Sequence, residues 1–349
     1  MNIALNFNLS NYLLNLIAFL LILISIKIIF AKDLLNAVIA SSVFSLLIGI
    51  SYLIMDAPDV AMTEAALGAC LSTCVYLNLL CTLPPDLKNI ENTNIIPASL
   101  ICLVFVIILT YMGLELPNYG DDNAPLHMHS SKYYIENTTN DIGIPSLVAA
   151  ILASYRGYDT LGETSVILIA GIAVLLVFSK KFEGDDVSKD VIPQLDRGIR
   201  KNINWMPWRD YGMTKIIKYI TSFIIPYIIL YSIYIQLNGE SSPGGGFQAG
   251  VIFVSSFIAY DLVYGNQKLN RYFSPNVLIY IAILGVAIYV IVGTISLFFN
   301  DNYLNYYSLT NFINDKLLAQ HIGIFIVEIV IGVTVAAIMY LIYNLFNHE

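Results

Sequence analysis

Two acidic side chains lie inside long apolar segments of the chain. Glu64 belongs to the segment DAPDVAMTEAALGACLSTC, and Glu328 belongs to QHIGIFIVEIVIGVTVAA. A charged side chain is costly in the hydrocarbon core of a bilayer, so an acid in such a segment indicates an ion or proton pathway. Because an enclosed carboxylate can exchange a proton for a metal cation, we predict ion translocation at Glu64 and Glu328.

Glu64 follows a predicted helix start and has small neighbours. Pro58 and the acids Asp56 and Asp59 fit the first turn of a helix, where the helix dipole favours negative charge. The small neighbours are Ala61, Ala65, Ala66, Gly68, Ala69 and Ser72. Small side chains let helices approach closely, which favours a buried, exchangeable carboxylate at position 64. A solvated glutamate at the membrane surface is the alternative.

Glu328 lies about eight residues inside the last apolar segment, a depth of roughly 12 Å at the rise of an α-helix. So short a side chain does not reach water from that depth. His321 precedes it by about two helical turns and therefore shares its face. The two residues form a candidate proton or cation pair, in which loss of His321 should shift the pH profile. A purely interfacial His321 is the alternative.

A third group of charges precedes the fifth apolar segment, in SYRGYDTLGETSVILIAG. Asp159 and Glu163 are candidate ion-translocation residues in this group. A structural role fits equally well, in which Asp159 or Thr160 caps the helix, Glu163 completes a capping box and Arg156 pairs with an acid. The residues alone do not decide between these interpretations.

The stretch PGGGFQAG stands at the mouth of another apolar segment. Its residues of interest are Pro243, Gly244, Gly245, Gly246 and Gln248. One interpretation is a glycine-rich turn in which proline starts the helix. The other is a broken or re-entrant helix whose free backbone groups and Gln248 face an aqueous cavity or a partner helix. Three successive glycines exceed what a turn needs, and both interpretations stay open.

The composition of the whole chain is that of a membrane protein. Of its 349 residues, 57% are hydrophobic and only 12% are charged, and the mean hydropathy is +0.72. Apolar runs of about 18 residues or more predict an all-α integral membrane fold with nine spans. These are residues 12–31, 34–55, 60–82, 96–116, 162–180, 214–236, 247–264, 276–298 and 321–345. The first run is too long for a removed signal peptide and lacks its basic start.

The charged segment 181–213 divides the spans into a five-helix module, residues 1–180, and a four-helix module, residues 214–349. If the N-terminus lies outside, 14 of the 17 basic residues fall on one side, which the positive-inside rule makes the cytoplasm. We therefore predict a cytoplasmic 181–213 linker and C-terminus. The net charge of −8 gives no indication of nucleic acid binding. The cysteines, at positions 70, 74, 81 and 102, lack metal-ligand spacing, so no metal is expected.

Taken together, these motifs resemble components of one family of ion transporters. DAPDVAMTEAALGA followed by YRGYDTLGE resembles two small modules at the C-terminal end of the large A subunit of Mrp-type multisubunit Na+/H+ antiporters. The same modules occur as separate subunits in membrane-bound hydrogenases related to complex I. PGGGFQAG with HIGIFIVEIVIGVTVAA resembles the B subunit of those antiporters. The order of the motifs in one chain makes the resemblance specific.

The resemblance implies a membrane subunit of a monovalent cation/proton antiporter complex in a prokaryotic inner membrane. Its expected partners are large antiporter-like subunits, small helical subunits, Na+ or another monovalent cation, H+ and membrane lipid. No enzyme activity and no cofactor are expected. Alternatives are a membrane component of a complex-I-related hydrogenase and a scaffold that translocates nothing.

Two departures from the family pattern stand out. Where many relatives carry a histidine before PGGGF, this chain reads NGESS. The chain also lacks a large antiporter core with an intramembrane lysine, so we expect it to act only within a complex.

Overall fold

A computed structural model describes residues 2–31, 33–82, 95–117, 120–121, 123–183, 215–264, 269, 271–312 and 314–347. Within these ranges the regular structure is helical, and nine helices are long and apolar enough to cross a membrane. The predicted all-α membrane fold is therefore confirmed. The predicted 181–213 linker lies, from residue 184 onward, outside the described residues.

The membrane-crossing helices end close to the predicted positions, but α1 begins ten residues before its predicted start, and α9 and α13 each begin five residues before theirs. They are α1 (Asn2–Ile29), α2 (Leu34–Ile54), α3 (Pro58–Thr63) continuing through a π-helical segment (Glu64–Leu71) into α4 (Ser72–Thr82), α5 (Ile95–Leu114), α9 (Gly157–Glu183), α10 (Lys215–Asn238), α11 (Gly246–Tyr264), α12 (Pro275–Phe298) and α13 (Lys316–Asn347). Short helices α6 (Pro125–Met128), α7 (Ser130–Asp141) and α8 (Leu147–Ala150) join α5 to α9. A second π-helical segment (Ile151–Tyr155) precedes α9, and a 3₁₀-helix (Tyr306–Asn311) precedes α13.

Helix α13 is the centre of the packed core. It packs against α9, α11 and α12, and its residues Ile324, Ile338 and Leu341 are fully buried. Glycines on the neighbouring helices make the close approach possible. A methyl group on Gly250 would come within 2.5 Å of the carbonyl oxygen of Gly332, so the α11 and α13 backbones nearly touch.

Helices α1 and α5 lie at the periphery and expose most of their large apolar side chains. Such side chains suit lipid or the helices of a neighbouring protein. Helix α9 belongs to the predicted first module, yet it packs against α12 and α13 of the predicted second module. The division of the chain at residues 181–213 stays a prediction.

Tyrosine hydroxyls fasten the π-helical segment before α9 to the core. The Tyr289 hydroxyl donates to the Gly157 carbonyl at 2.7 Å, and the Tyr306 hydroxyl donates to the Ala153 carbonyl at 2.9 Å. The wider turn of a π-helix leaves carbonyls without the usual intrahelical partner, and the Tyr306 phenol binds such a group at Ala153, whereas Tyr289 binds the first residue of α9. The entry to α9 is therefore fixed by α12 and by the 3₁₀-helix.

Candidate functional site

The glycine-rich turn lies directly on the backbone of α13 beside Glu328. A methyl group on Gly246 would overlap the Glu328 carbonyl oxygen and come within 3.1 Å of the Gly332 nitrogen. A methyl group on Gly239, at the end of α10, would come within 2.8 Å of the Gly245 Cα. Gly245 also has a φ of +126°, which side chains of L-residues rarely adopt. The glycines are needed both for the turn and for the close contact with α13.

Helix α11 runs unbroken from Gly246 to Tyr264, so the structure shows a tight turn before a continuous helix rather than a broken helix. Pro243 is exposed in this turn. Gln248 is buried, and its Oε1 atom points back toward Gly245, where a Cβ would be 3.5 Å away. The Gln248 side chain therefore packs inside this chain rather than facing a partner helix.

Asp59 anchors the same turn from a distant part of the sequence. The Gly244 N–H donates to Asp59 Oδ1 at 2.8 Å, across 185 residues. Asp59 lies in the first turn of α3, five residues before Glu64. The hydrogen bond joins the segment DAPDVAMTEA to the segment PGGGFQAG, and it places an acid beside the Glu328 site.

Glu328 is buried beneath the turn, with 6% of its surface exposed. A Cβ on Gly239 would lie 3.0 Å from Glu328 Oε2, and one on Gly245 would lie 3.7 Å from Oε1. Among the described residues, Oε2 has no hydrogen-bond partner. The charges of Glu240 and Asp59 act on this carboxyl group. Glu328, Glu240 and Asp59 thus form an acidic cluster, the name used below for these three residues.

The structure gives His321 a different partner from the one predicted. Its Nδ1 lies 2.7 Å from Glu240 Oε2, and Glu328 is not its hydrogen-bond partner. Glu240 belongs to the NGESS loop, which follows α10 and leads into the glycine-rich turn. The Ser146 N–H donates to the Glu240 carbonyl oxygen at 3.0 Å, which fixes that loop. His321 therefore pairs with Glu240, another member of the cluster, rather than with Glu328.

Glu64 is the first residue of the π-helical segment between α3 and α4 and is half-buried. Its carboxyl group folds back over Gly68 toward α2, because a Cβ on Gly68 would lie 3.1 Å from Glu64 Cδ and 2.9 Å from Ser45 Oγ. The expectation of a buried carboxylate is met only in part within this chain. π-Helical turns are frequent at functional sites, and nothing in the sequence pattern indicated this one.

Asp159 and Glu163 lie at the surface of α9. Arg156 Nε donates to Asp159 Oδ2 at 2.6 Å, and the two side chains are 60% and 50% exposed. An ion pair between Arg156 and an acid is what the structural interpretation of this group predicts. The Thr160 hydroxyl donates to the Leu152 carbonyl at 2.7 Å, so it secures the π-helical segment rather than capping α9. Neither acid is among the charges that act on Glu328.

One buried acid was missed by the sequence analysis. Asp261, near the end of α11, is 4% exposed and accepts a hydrogen bond from the Tyr340 hydroxyl at 2.7 Å. Its Oδ1 atom has no partner among the described residues. Asp261 lies about 22 Å from Gly246 along the helix, at the opposite end of α11 from the acidic cluster. The available signal was an acid in the apolar run FIAYDLVY, but its position near the end of the span resembled an interfacial residue.

Two family models match the chain. Residues 216–341 match a domain related to the MnhB subunit of the Na+/H+ antiporter, and residues 19–85 match the D subunit of MBH. The first match contains the glycine-rich turn, His321 and Glu328, and the second contains Asp59 and Glu64. The predicted resemblance to Mrp-type antiporter subunits is therefore confirmed, in the order in which the motifs indicated it.

Similar proteins occur in archaea and bacteria. An uncharacterised protein of Methanocaldococcus jannaschii is 29% identical over 163 residues, which are 46% of this chain and 60% of that protein. The A1 subunit of a Staphylococcus epidermidis Na(+)/H(+) antiporter is 31% identical over 175 residues, 49% of this chain and 21% of that protein. The chain thus spans at most 60% of the length of these two relatives.

Two solved structures share the fold. The Mrp complex from Dietzia sp. DQ12-45-1b superimposes with a TM-score of 0.68 and 22% identity, over 93% of this chain and 34% of that chain. The archaeal membrane-bound sulfane sulfur reductase superimposes with a TM-score of 0.50 and 23% identity, over 73% of this chain and 98% of that one. At these identities the likeness concerns the fold.

Proposed function

We propose that the chain is a membrane subunit of a monovalent cation/proton antiporter complex and that its buried acids take part in ion translocation. The observation that supports this most strongly is the acidic cluster beneath the glycine-rich turn. Asp59 comes from the segment that matches the MBH model, whereas Glu328 comes from the segment that matches the MnhB-related model. The two family-like segments therefore meet at carboxylates.

The chemistry of the cluster suits exchange between a proton and a cation. The charges of Glu240 and Asp59 act on the buried Glu328 carboxyl group, and in the described part of the chain the one ion-pairing partner of these acids is His321. Like charges in such a setting repel strongly, and a bound proton or monovalent cation offsets that repulsion. A site that either ion can occupy is the minimum that an antiporter requires.

The proposed partners are large antiporter-like subunits and small helical subunits. The exposed apolar faces of α1 and α5 and the surface acids Asp159 and Glu163 give such partners a place to pack. We place the complex in a prokaryotic inner membrane with the N-terminus outside, because the basic residues then lie inside. In this role the chain is a translocation subunit without enzyme activity or cofactor.

A second candidate function is that of a membrane subunit in a redox-driven complex, and the match of residues 19–85 to the MBH model favours it. A third is a scaffold that translocates nothing. Everted vesicles that contain the complete complex, with and without this chain, separate the three. The antiporter proposal predicts proton flux on addition of Na+ or another monovalent cation without any electron donor, and loss of that flux without this chain. Flux that requires an electron donor would support the redox-driven complex, and unchanged flux without this chain would contradict both translocation proposals.

A further inference from the structure

A polar cavity of about 420 Å³ lies beside the first turn of α13. It is open to the surface and is lined by the end of α7, the π-helical segment before α9, the loop that precedes the 3₁₀-helix, and the first turn of α13. Its polar lining residues are Asp141, Ser154, Tyr155, Asn305, Tyr307 and Gln320. The volume leaves room for a cation together with water molecules. The sequence motifs described above do not account for this cavity.

The lining of the cavity offers oxygen atoms and a single formal charge. Tyr155 donates its hydroxyl to Asp141 Oδ2 at 2.9 Å, and the Tyr307 hydroxyl donates to the Asp141 carbonyl oxygen. Gln320 is 3% exposed, and its Oε1 accepts from the Ser154 hydroxyl at 3.3 Å. Among the lining residues that the structure describes, Asp141 carries the charge and none is basic. Such a lining attracts a cation and disfavours an anion.

The tyrosines of the cavity stay neutral in the physiological range. Burial, followed by the hydrogen bond to Asp141, raises the pKa of Tyr155 to about 12. Burial and the nearby Asp141 also raise the pKa of Tyr307. Both phenols therefore keep their protons, and the negative charge of the cavity stays on Asp141. Neutral hydroxyl and amide oxygens with one carboxylate are ligands that a hard cation accepts.

The cavity borders the acidic cluster through α13. Gln320 lines the cavity. The next residue is His321, whose Nδ1 lies 2.7 Å from Glu240 Oε2. On the other side, Ser146 follows Asp141 by five residues and binds the Glu240 backbone. One turn of α13 and one short connection thus separate the cavity from Glu240.

We propose that this cavity is a vestibule that binds a hydrated monovalent cation before the cation reaches Glu240 and Glu328. The proposal rests on the function proposed above and adds the entry site for the ion. Its lining residues lie in or beside the connections between α5 and α9 and between α12 and α13, which the predicted topology places on the same side as the N-terminus. Asp141 supplies the attraction, while Gln320 and the phenols replace part of the hydration shell.

Cysteine labelling tests the vestibule independently of transport. Ser154→Cys places a thiol of similar size in the cavity, and Ser165→Cys places one inside α9, away from it, as the control. With the four native cysteines replaced by serine and the complete complex in sealed right-side-out vesicles, a membrane-impermeant methanethiosulfonate should label Ser154→Cys in this chain but not Ser165→Cys or the cysteine-free chain. Na+ should slow the labelling relative to choline at equal ionic strength, and adding Asp141→Asn should remove this protection. Equal labelling in Na+ and choline, or labelling only from the inside, would overturn the proposal.

Transport kinetics provide the second arm. Asp141→Asn keeps the shape and the acceptor for Tyr155 but removes the charge, so the cation concentration for half-maximal flux should rise by at least about threefold with little change in maximal flux. Asp301→Asn, an exposed acid in the preceding loop, is the matched control and should leave both values unchanged. An unaltered half-maximal concentration in Asp141→Asn would contradict the vestibule. If the wild-type complex shows no cation-dependent flux, the proposed function fails, and the labelling result still decides whether the cavity binds a cation.

Discussion

Replacing Gly246 by alanine should loosen the contact between α11 and α13. The added methyl group would overlap the carbonyl oxygen of Glu328, come within 2.9 Å of its carbonyl carbon and within 3.1 Å of the Gly332 nitrogen. All three atoms belong to the backbone of a central helix, so no side chain can rotate away. Forcing a methyl group into a packed interior costs about 1–3 kcal/mol of folding free energy. We expect the upper part of this range because a whole helix must move.

Gly113→Ala is the matched control. A methyl group at Gly113, in the last turn of α5, meets nothing within 4 Å. The same substitution there should leave the stability of the helix unchanged or slightly higher, because alanine is the better helix former. The assay is a heat challenge of the complete complex, followed by size-exclusion chromatography that detects a fluorescent protein fused to this chain. Gly246→Ala should lose the assembled peak at a lower temperature than the wild type, and Gly113→Ala should not. Equal heat resistance of Gly246→Ala and Gly113→Ala would refute the close contact at Glu328.

Three further predictions test the anchoring, the orientation and the second intramembrane acid. Asp59→Ala removes the acceptor of the Gly244 N–H and should cost about 1.5–3 kcal/mol, measured by the same heat challenge; unchanged stability would show that the bond is dispensable. A cytoplasmic reporter fused after Glu349 should be active and one placed near Asn123 inactive, and activity at both positions would contradict the predicted topology. Glu64→Gln keeps the size of the side chain and should leave assembly normal while cation-dependent proton flux falls; full flux would assign Glu64 a structural role.

The membrane fold could be predicted from the sequence because hydrocarbon demands long, continuous apolar helices. Most of the nine predicted spans end within a few residues of the observed helices. α9 begins earlier than predicted, at Gly157, because the polar residues of its first turns precede the apolar run from which the span was predicted. α13 also begins earlier than predicted, at Lys316, because Lys316 and Gln320 are polar and were not counted in the apolar run.

The candidate site could be predicted only where a single residue carried the signal. Glu328 was evident because an acid deep in an apolar segment has few structural explanations. The Gly244–Asp59 hydrogen bond could not be found, since its partners are 185 residues apart and no local pattern connects them. Glu240 was missed because it lies in a loop, where an acid is ordinary. Glu240 becomes a candidate site residue only because the fold places His321 within hydrogen-bond distance of it.

The π-helical segment at Glu64 and the cavity beside α13 lie beyond periodicity arguments. An apolar helix and a π-helical turn have nearly the same composition, so the segment EAALGACL gives no warning of the change. The cavity depends on tyrosines from two segments far apart in the sequence, Tyr155 in one and Tyr303 and Tyr307 in the other. Each of these is an ordinary interfacial tyrosine when considered alone.

The central claim is that Glu328 exchanges ions, and one substitution tests it most directly. Glu328→Gln keeps the volume of the side chain and removes its charge, with Glu115→Gln, an exposed acid at the end of α5, as the matched control. Both variants are measured in the complete complex in everted vesicles, by proton flux on addition of Na+ or another monovalent cation across about pH 6 to 9. If Glu328 exchanges ions, both variants should assemble normally, Glu328→Gln should lose flux, and Glu115→Gln should keep wild-type flux. Full cation-dependent flux in a normally assembled Glu328→Gln complex would contradict ion exchange at Glu328.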